Sequence, residues 1–188
     1  MQSEAMVRSL YREVVAHHPM GIPESGDMKI LSPYLSKALL RRMDVARSCY
    51  DDWTRQHPDP NLKPPFGWLE SGLFSGDDEQ ASPRDFQIER TQSEKGGSLR
   101  VYLRLTWEKL PAPKWMWQVA AIVIREDDHF VVDDVIYLKD ENRLVESRLS
   151  EYLSAGCDDA RSVGYSDNKR HRHAGFLLGG TCDKEGRV

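Results

Sequence analysis

The sequence predicts an α+β fold in which N-terminal helices pack on a curved antiparallel β-meander, followed by a C-terminal helix. Apolar residues recur with helical spacing in 4–16 and 35–53, which is typical of helices with one buried face. Apolar and polar residues alternate in 99–107, as in a half-buried strand. Two further β-forming runs follow at short intervals, 115–124 and 129–138, which favours antiparallel neighbours.

Both N-terminal helices have recognisable ends. The first stops at 17–23, where two prolines and a glycine cannot continue a helix. The second is expected to start with Ser32 as its N-cap and Pro33 at the first helical position. Its apolar face is Leu35, Leu39, Met43, Ala46, Cys49 or Tyr50, and Trp53.

Shorter segments connect the helices to the meander. Residues 66–74 are expected to form either a short strand or a loop that closes one end of the core. Proline, glycine and charge signals then predict an acidic loop at 75–85, a strand at 86–89, a turn at 94–97, a loop at 111–113 and a tight turn at 126–129.

The chain after the meander is expected to form one more helix and a tail. Asp140 or Asn142 caps a helix over 143–154, with Leu144 or Val145, Leu149, Tyr152 and Leu153 in its stripe, and Gly156 ends it. We assign residues 1–160 to a single α+β domain. Residues 161–188, which lack a helix or strand period, are expected to be disordered or appended.

Asp133 and Asp134 lie inside a strongly β-forming run. Adjacent strand residues point to opposite faces, so these carboxylates cannot act as a dyad. A symmetric register pairs Val101 with Ala121 and Ala121 with Asp134, which places Asp134 on the inner face. There it would be desolvated and suited to act as a general base, or be held in a structural role. A β-bulge would exchange the two aspartates.

The opposite face of the predicted sheet is too apolar for a solvated surface. Either the C-terminal helix or a second subunit must cover it, and we expect a homodimer through this face. The residues concerned are Met116, Ala120, Ile122, Ile124, Val131 and Val135.

Aromatic residues are expected to meet between the second helix and the sheet. Core packing is one interpretation, because aromatic side chains dominate core burial. A pocket lined by these rings is the other. The predicted pocket-lining residues are Trp53, Trp68, Glu70, Leu103, Trp117 and Asp134.

Composition narrows the partners. The net charge is −4 with both signs interspersed, which argues against nucleic acid because phosphate binding needs a basic patch. The basic cluster 169–173 is expected to be a solvated part of the tail. No apolar run reaches 18 residues, so we expect no membrane span. The N-terminal residues do not resemble a signal peptide. A chain whose signal peptide had already been removed would give the same observation, so the sequence does not determine the localisation.

Neither the cysteines nor the motifs indicate a metal or cofactor. Cys49, Cys157 and Cys182 match no zinc pattern. The helical stripe favours a buried free thiol at Cys49, and a Cys49–Cys157 disulfide is the alternative if the protein is exported. No spaced histidine pair lies inside the region expected to fold, and for His171 and His173 in the tail we expect adventitious metal binding at most. No Gly-x-Ser-x-Gly, Walker or dinucleotide motif is present.

Several segments carry a family resemblance: 31–36 (LSPYLS), 51–53 (DDW), 64–70 (PPFGWLE), 72–76 (GLFSG) and 131–135 (VVDDV). Over residues 5–155 they resemble an uncharacterised bacterial family with a nuclear transport factor 2-like, or cystatin-like, fold. Its members are typically exported, which implies a periplasmic or secreted setting if the chain is processed. The resemblance implies no activity, since the wider fold hosts isomerases, dehydratases and binding modules.

The leading hypothesis is a non-enzymatic module that binds a small apolar ligand in a pocket between the long helix and the sheet. An alternative is a lyase or isomerase that uses Asp134 as general base and Tyr34, Tyr50 or Tyr137 as proton donor. A further alternative is a protein-interaction or inhibitor domain acting through the loops of residues 58–82.

Overall fold

A computed structural model describes residues 2–76, 82–107, 115–140, 144–155 and 157. Its helices are α1 (Gln2–His17), α2 (Ser25–Leu31), α3 (Lys37–Gln56) and α4 (Leu149–Ser154), with 3₁₀ turns at Ser32–Tyr34 and Gly67–Glu70. Its strands are β1 (Asp85–Ser93), β2 (Leu99–Trp107), β3 (Trp115–Glu126), β4 (His129–Tyr137) and β5 (Ser147–Arg148). The strands form one antiparallel sheet in chain order. The predicted α+β architecture is confirmed.

Some sequence expectations lie outside the described residues. They are the middle of the acidic loop, the 111–113 loop, the Asn142 cap, the Gly156 stop and the 161–188 tail. The helix expected from 143 begins only at Leu149, after the short strand β5. Leu144 and Val145, expected in its apolar stripe, are about three-quarters exposed.

Helix α3 begins later than the sequence suggested. Ser32 and Pro33 form a 3₁₀ turn, and the N-cap is Ser36, whose Oγ accepts a hydrogen bond from the Leu39 amide at 2.9 Å. Leu35 is extended and bridges Val132 of β4, which ends the 3₁₀ turn before α3 starts. The apolar face from residue 39 onward is buried as predicted.

The predicted strand register holds for β2 and β3 and fails within β4. Val101 pairs with Ala121 as expected. Asp134 pairs with Ile122 rather than Ala121, because the register shifts between residues 122 and 123 and leaves Asp133 as an extra residue. From this β-bulge onward, the side chains of β4 point to the opposite face of the sheet from the one predicted. The inner-face placement of Asp134 is therefore wrong.

All four helices contribute to one core on the inner face of the sheet. Leu149 and Leu153 of α4 belong to this core cluster, so the alternative in which the last helix covers the outer face is wrong. The outer face has its own cluster, Tyr102, Ala120, Ile122, Ile136 and Leu138, to which no described helix contributes. Each of these is at most 9 % exposed within one chain. They offer a second subunit little further burial, and the homodimer stays a prediction.

Cys49 and Cys157 form a disulfide. It connects the middle of α3 to the residues after α4, and both cysteines are buried in the main core. The preference for a free thiol at Cys49 is therefore wrong, and the disulfide alternative describes the structure. Helical spacing placed Cys49 in the core but carried no information on which cysteine would approach it.

Candidate functional site

The six predicted pocket residues do not share one site. Leu103 is fully buried in the centre of the core. Trp117 lies half-buried near the start of β3, while Glu70 is exposed and paired with Lys63 at 2.8 Å. Asp134 belongs to the outer-face register with Ile122. The six residues therefore do not form the wall of a single cavity between α3 and the sheet.

Trp53 and Trp68 belong to the aromatic end of the main core. Trp53 stacks on His57, with ring centroids 4.5 Å apart. Trp68 contacts Tyr50 and Phe66, with ring centroids 6.1 and 5.7 Å away. Its indole Nε1 is buried without a hydrogen-bond partner. This end of the core is packed ring against ring, so the core-packing interpretation describes it best.

Asp134 anchors the start of α4. Its Oδ1 accepts from the backbone amides of Val135 and Ser150 at 2.9 and 3.0 Å, and its Oδ2 accepts from the Ser150 hydroxyl at 2.7 Å. Arg148 Nη1 lies 3.7 Å from the same carboxylate. Both oxygens are occupied by neighbouring groups, and the phenol of Tyr137 donates to the Leu73 carbonyl at 2.7 Å. The geometry gives Asp134 a structural role and offers no support for a general base.

Asp133 holds the start of α3, as Asp134 holds the start of α4. Its Oδ1 accepts from the Ser36 hydroxyl at 2.5 Å, while Ser36 Oγ itself caps α3. The Arg42 guanidinium lies 3.4 Å from the Asp133 carbonyl oxygen. Because of the bulge, two consecutive carboxylates each hold the start of a different helix.

A cleft lies elsewhere, where the end of α1 faces the segment that follows the Gly67–Glu70 turn. Sequence reasoning missed it, because its residues come from three separate stretches of chain, 14–20, 72–75 and 82–83. Its free space of about 150 Å³ is open to solvent, and in this shape a water-sized sphere does not fit into it. It is lined by Val14, His18, Pro19, Met20, Gly72, Ser75, Ser82 and Pro83.

One wall of the cleft is held in place by three aromatic side chains, which donate hydrogen bonds to three consecutive backbone carbonyls. Tyr137 donates to Leu73, Tyr11 donates to Phe74 at 2.8 Å, and Trp117 Nε1 donates to Ser75 at 2.8 Å. Burial raises the pKa of the Tyr11 phenol, which therefore stays a donor. These bonds come from α1, β3 and β4, so residues 73–75 are tied to three elements of the core.

The other wall is a strained turn that carries an unsatisfied histidine. His18 has a left-handed backbone, with φ of 47°, a conformation in which histidine is among the enriched residues. Its Nδ1 is buried without a hydrogen-bond partner, which leaves the desolvation of that nitrogen uncompensated. The sequence signal was the His17-His18-Pro19 run, read only as a helix end.

Tryptophan side chains lie along the sheet next to the wall that residues 73–75 form. Trp117 is half-buried beside Ser75, and Trp115 lies two residues away on the same face of β3. Trp115 is 47 % exposed and packs on Trp107 of β2, with ring centroids 4.9 Å apart. Together they give this end of the sheet a partly exposed aromatic surface.

Comparisons with known proteins return no match. No family model, no curated protein and no solved structure resembles this chain significantly. The nuclear transport factor 2-like assignment therefore stays a prediction, and the α+β architecture rests on the structure. Among the described residues, no group of three or more His, Cys, Asp and Glu side chains could hold a metal ion. None of the described helices is long and apolar enough to cross a membrane.

Proposed function

We propose that this chain is a non-enzymatic module that binds a small ligand in the cleft between the α1 end and residues 72–75. The observation that carries the proposal is the His18 Nδ1, a buried polar atom without a partner at the wall of a cleft. Most buried polar atoms in folded proteins are hydrogen-bonded, and an exception calls for an explanation. A ligand group that bonds this nitrogen would supply the missing partner.

The lining indicates the ligand class. Val14, Pro19, Met20 and Pro83 offer apolar contacts, and Trp117 is bonded to the Ser75 carbonyl at the same wall. A neutral histidine ring can donate or accept one hydrogen bond at Nδ1, according to its tautomer. We therefore expect a small, flat and largely apolar ligand with one hydrogen-bonding heteroatom. This keeps the ligand class expected from the sequence and moves the site from α3 to α1.

The proposal requires the cleft to open, because its resting shape does not admit a water-sized sphere. Residues 73–75 are held by three aromatic donors, so the movement has to come from the other lining segments, residues 18–20 and 82–83. A ligand that binds only the open form selects a minor conformation. Its apparent affinity is then the intrinsic affinity multiplied by the fraction of molecules that are open. A weak ligand, in the micromolar range or above, is therefore expected.

An NMR fragment screen tests the proposal. Neutral bicyclic fragments that carry one ring nitrogen, such as quinoline and indole, are added to ¹⁵N-labelled protein. We expect the indole N–H signal of Trp117 to move, and that of Trp68, in the aromatic core, to stay in place. If no fragment moves the Trp117 signal at millimolar concentration, the proposed function is wrong.

Two histidine variants show whether His18 takes part. His18→Asn keeps a residue that tolerates the left-handed backbone and shortens the polar side chain. We expect it to weaken fragment binding about tenfold, the equivalent of one hydrogen bond. His129→Asn, at the exposed β3–β4 turn, is the matched control and should bind as the wild type does. Equal affinities in all three proteins would rule out His18 as the recognition group.

A further inference from the structure

Two arginines lie on neighbouring strands of the outer face of the sheet. The register of β1 and β2 sets Arg90 opposite Tyr102 and Gln92 opposite Arg100. Directly opposite residues, and residues two positions apart along a strand, share one face. The four side chains therefore form a rectangle with the arginines at two diagonal corners, which we call the outer-face rectangle. Tyr102 also belongs to the outer-face cluster, to which no described helix contributes.

The Tyr102 ring positions both guanidinium groups. The central carbon of the Arg90 guanidinium lies 4.0 Å from the ring centroid, and that of Arg100 lies 5.9 Å from it. Tyr102 is 9 % exposed, so its packed neighbours hold the ring in place. A guanidinium that stacks on an aromatic ring keeps its in-plane N–H groups for hydrogen bonds. Arg90 is therefore held on the sheet with donors left for a ligand.

Arg100 is largely buried and has a carboxylate partner. Its Nε donates to Glu94 Oε1 at 2.6 Å, and 20 % of its side chain is exposed. Burial lowers the pKa of Arg100, but hydrogen bonds and charges from Tyr102 and Glu94 outweigh this effect and raise it. A guanidinium has five N–H donors, so these bonds leave some of them for an anion.

Arg90 has no carboxylate partner within the described part of the chain. The carboxylate next to it in sequence, Glu89, is bound by Arg104 and by the side-chain amide of Gln118. The outer-face rectangle therefore holds two positive charges, and Glu94 at its border supplies one negative charge. Like charges on diagonal corners repel each other. An anion that bridges them would replace this repulsion with attraction.

We propose that the outer-face rectangle binds a phosphate group, as the free anion or as a monoester. Arginine presents a planar fork that matches phosphate, and charge-assisted hydrogen bonds of this kind are the strong ones. A phosphate group has several oxygens and can accept from both arginines at once, while the Gln92 amide adds a neutral donor. This face carries no described helix, and the cleft at the α1 end is a separate place on the molecule.

Arginine side-chain NMR tests the proposal. The Nε–H signals of ¹⁵N-labelled protein are followed while sodium phosphate replaces sodium chloride at constant ionic strength. We expect the Arg90 and Arg100 signals to move and saturate in the millimolar range, and the signal of Arg104, which is held by Glu89, to move much less. Methyl phosphate is the second probe. Equal binding of both probes would identify monoesters as ligands, and binding of inorganic phosphate alone would identify the free anion.

Arginine variants separate a defined site from general attraction of anions. Arg90→Gln should weaken phosphate binding about tenfold, the equivalent of one charge-assisted hydrogen bond. Arg90→Lys keeps the charge but loses the planar fork, so its affinity should lie between the two. Arg125→Gln, at an exposed position of β3, removes the same charge elsewhere on the sheet and should bind as the wild type does.

Three results would overturn the proposal. The first is the absence of a saturable shift with either probe. The second is an equal loss of affinity in Arg90→Gln and Arg125→Gln, which would mean that phosphate responds only to the net charge. The third is unchanged affinity in Arg90→Gln. The arginines would then serve only to cover the outer-face cluster with their aliphatic stems, and the function proposed for the cleft would be unaffected.

Discussion

Replacing both bridged cysteines with serine should remove a large part of the stability of this protein. The Cys49–Cys157 bridge closes a loop with a sequence separation of 108 residues. In the chain-entropy model, a cross-link over a loop of this length lowers the unfolded-state entropy by the equivalent of about 4.8 kcal/mol at 25 °C. Loss of native disulfides from small domains typically costs about 2–5 kcal/mol. We therefore expect the free energy of unfolding to fall by about 3–5 kcal/mol, a substantial share of the usual total of about 5–15 kcal/mol.

Guanidinium unfolding, followed by tryptophan fluorescence and circular dichroism, measures this loss. The proteins compared are the oxidised wild type, the Cys49→Ser/Cys157→Ser variant and a Cys182→Ser control, which should match the wild type. Peptide mapping without reduction first establishes that the wild-type bridge has formed. If the double variant lies within about 1 kcal/mol of the wild type, the bridge does not constrain the unfolded chain as the entropy argument requires.

Three further predictions concern the anchors of the helices and the β3–β4 turn. Asp134→Ala should lower the free energy of unfolding by about 3 kcal/mol, because it leaves buried donors at the start of α4 unpaired. Asp134→Asn should lower it less. Equal losses of stability in chemical denaturation would contradict this. Ser36→Ala should lower stability by about 1 kcal/mol through loss of the α3 cap, and an unchanged unfolding midpoint would show that the cap is unimportant. The hydrogen bond from Lys37, together with its charge, lowers the pKa of Asp127. The pair therefore stabilises the folded protein above the unfolded-state Asp pKa of about 3.9. This contribution is lost as the pH falls through the lower pKa of the folded state. An NMR titration of the carboxyl carbon should show the Asp127 pKa returning toward its usual range in Lys37→Gln, and an unchanged pKa would exclude the ion pair as its cause.

The regular elements could be predicted because their patterns are local. Helical spacing located α1 and the buried face of α3, and alternation located β2. The same local reading missed α2, because seven residues after a proline give no clear period. It also started α3 too early, because Ser32–Pro33 and Ser36 are both acceptable helix starts. The bridge between Leu35 and Val132 selects the second of them, and a contact across 97 residues leaves no trace in a local pattern.

The site could not be predicted, because it depends on long-range contacts. A single unpaired residue in β4 reversed the expected placement of Asp134, and bulges have no dependable sequence signature. Trp117 was predicted to line a pocket beside α3, and the bond that it makes in the structure, to the Ser75 carbonyl, joins two distant segments. His18 was interpreted only as part of the segment that ends the first helix. Its buried, unsatisfied nitrogen becomes visible only after the surrounding chain has been placed.

The disulfide also determines how the molecule would respond to mechanical force. Tension applied to the segments that precede Cys49 and follow Cys157 passes from one sulfur to the other. The chain between them, which contains all five strands, lies on a closed ring and carries no load. In a single-molecule pulling experiment the oxidised sheet should therefore contribute no extension, and reduction should release about 108 additional residues, each adding at most about 3.6 Å. The sheet is thereby protected from stretching by a bond that none of its strands makes.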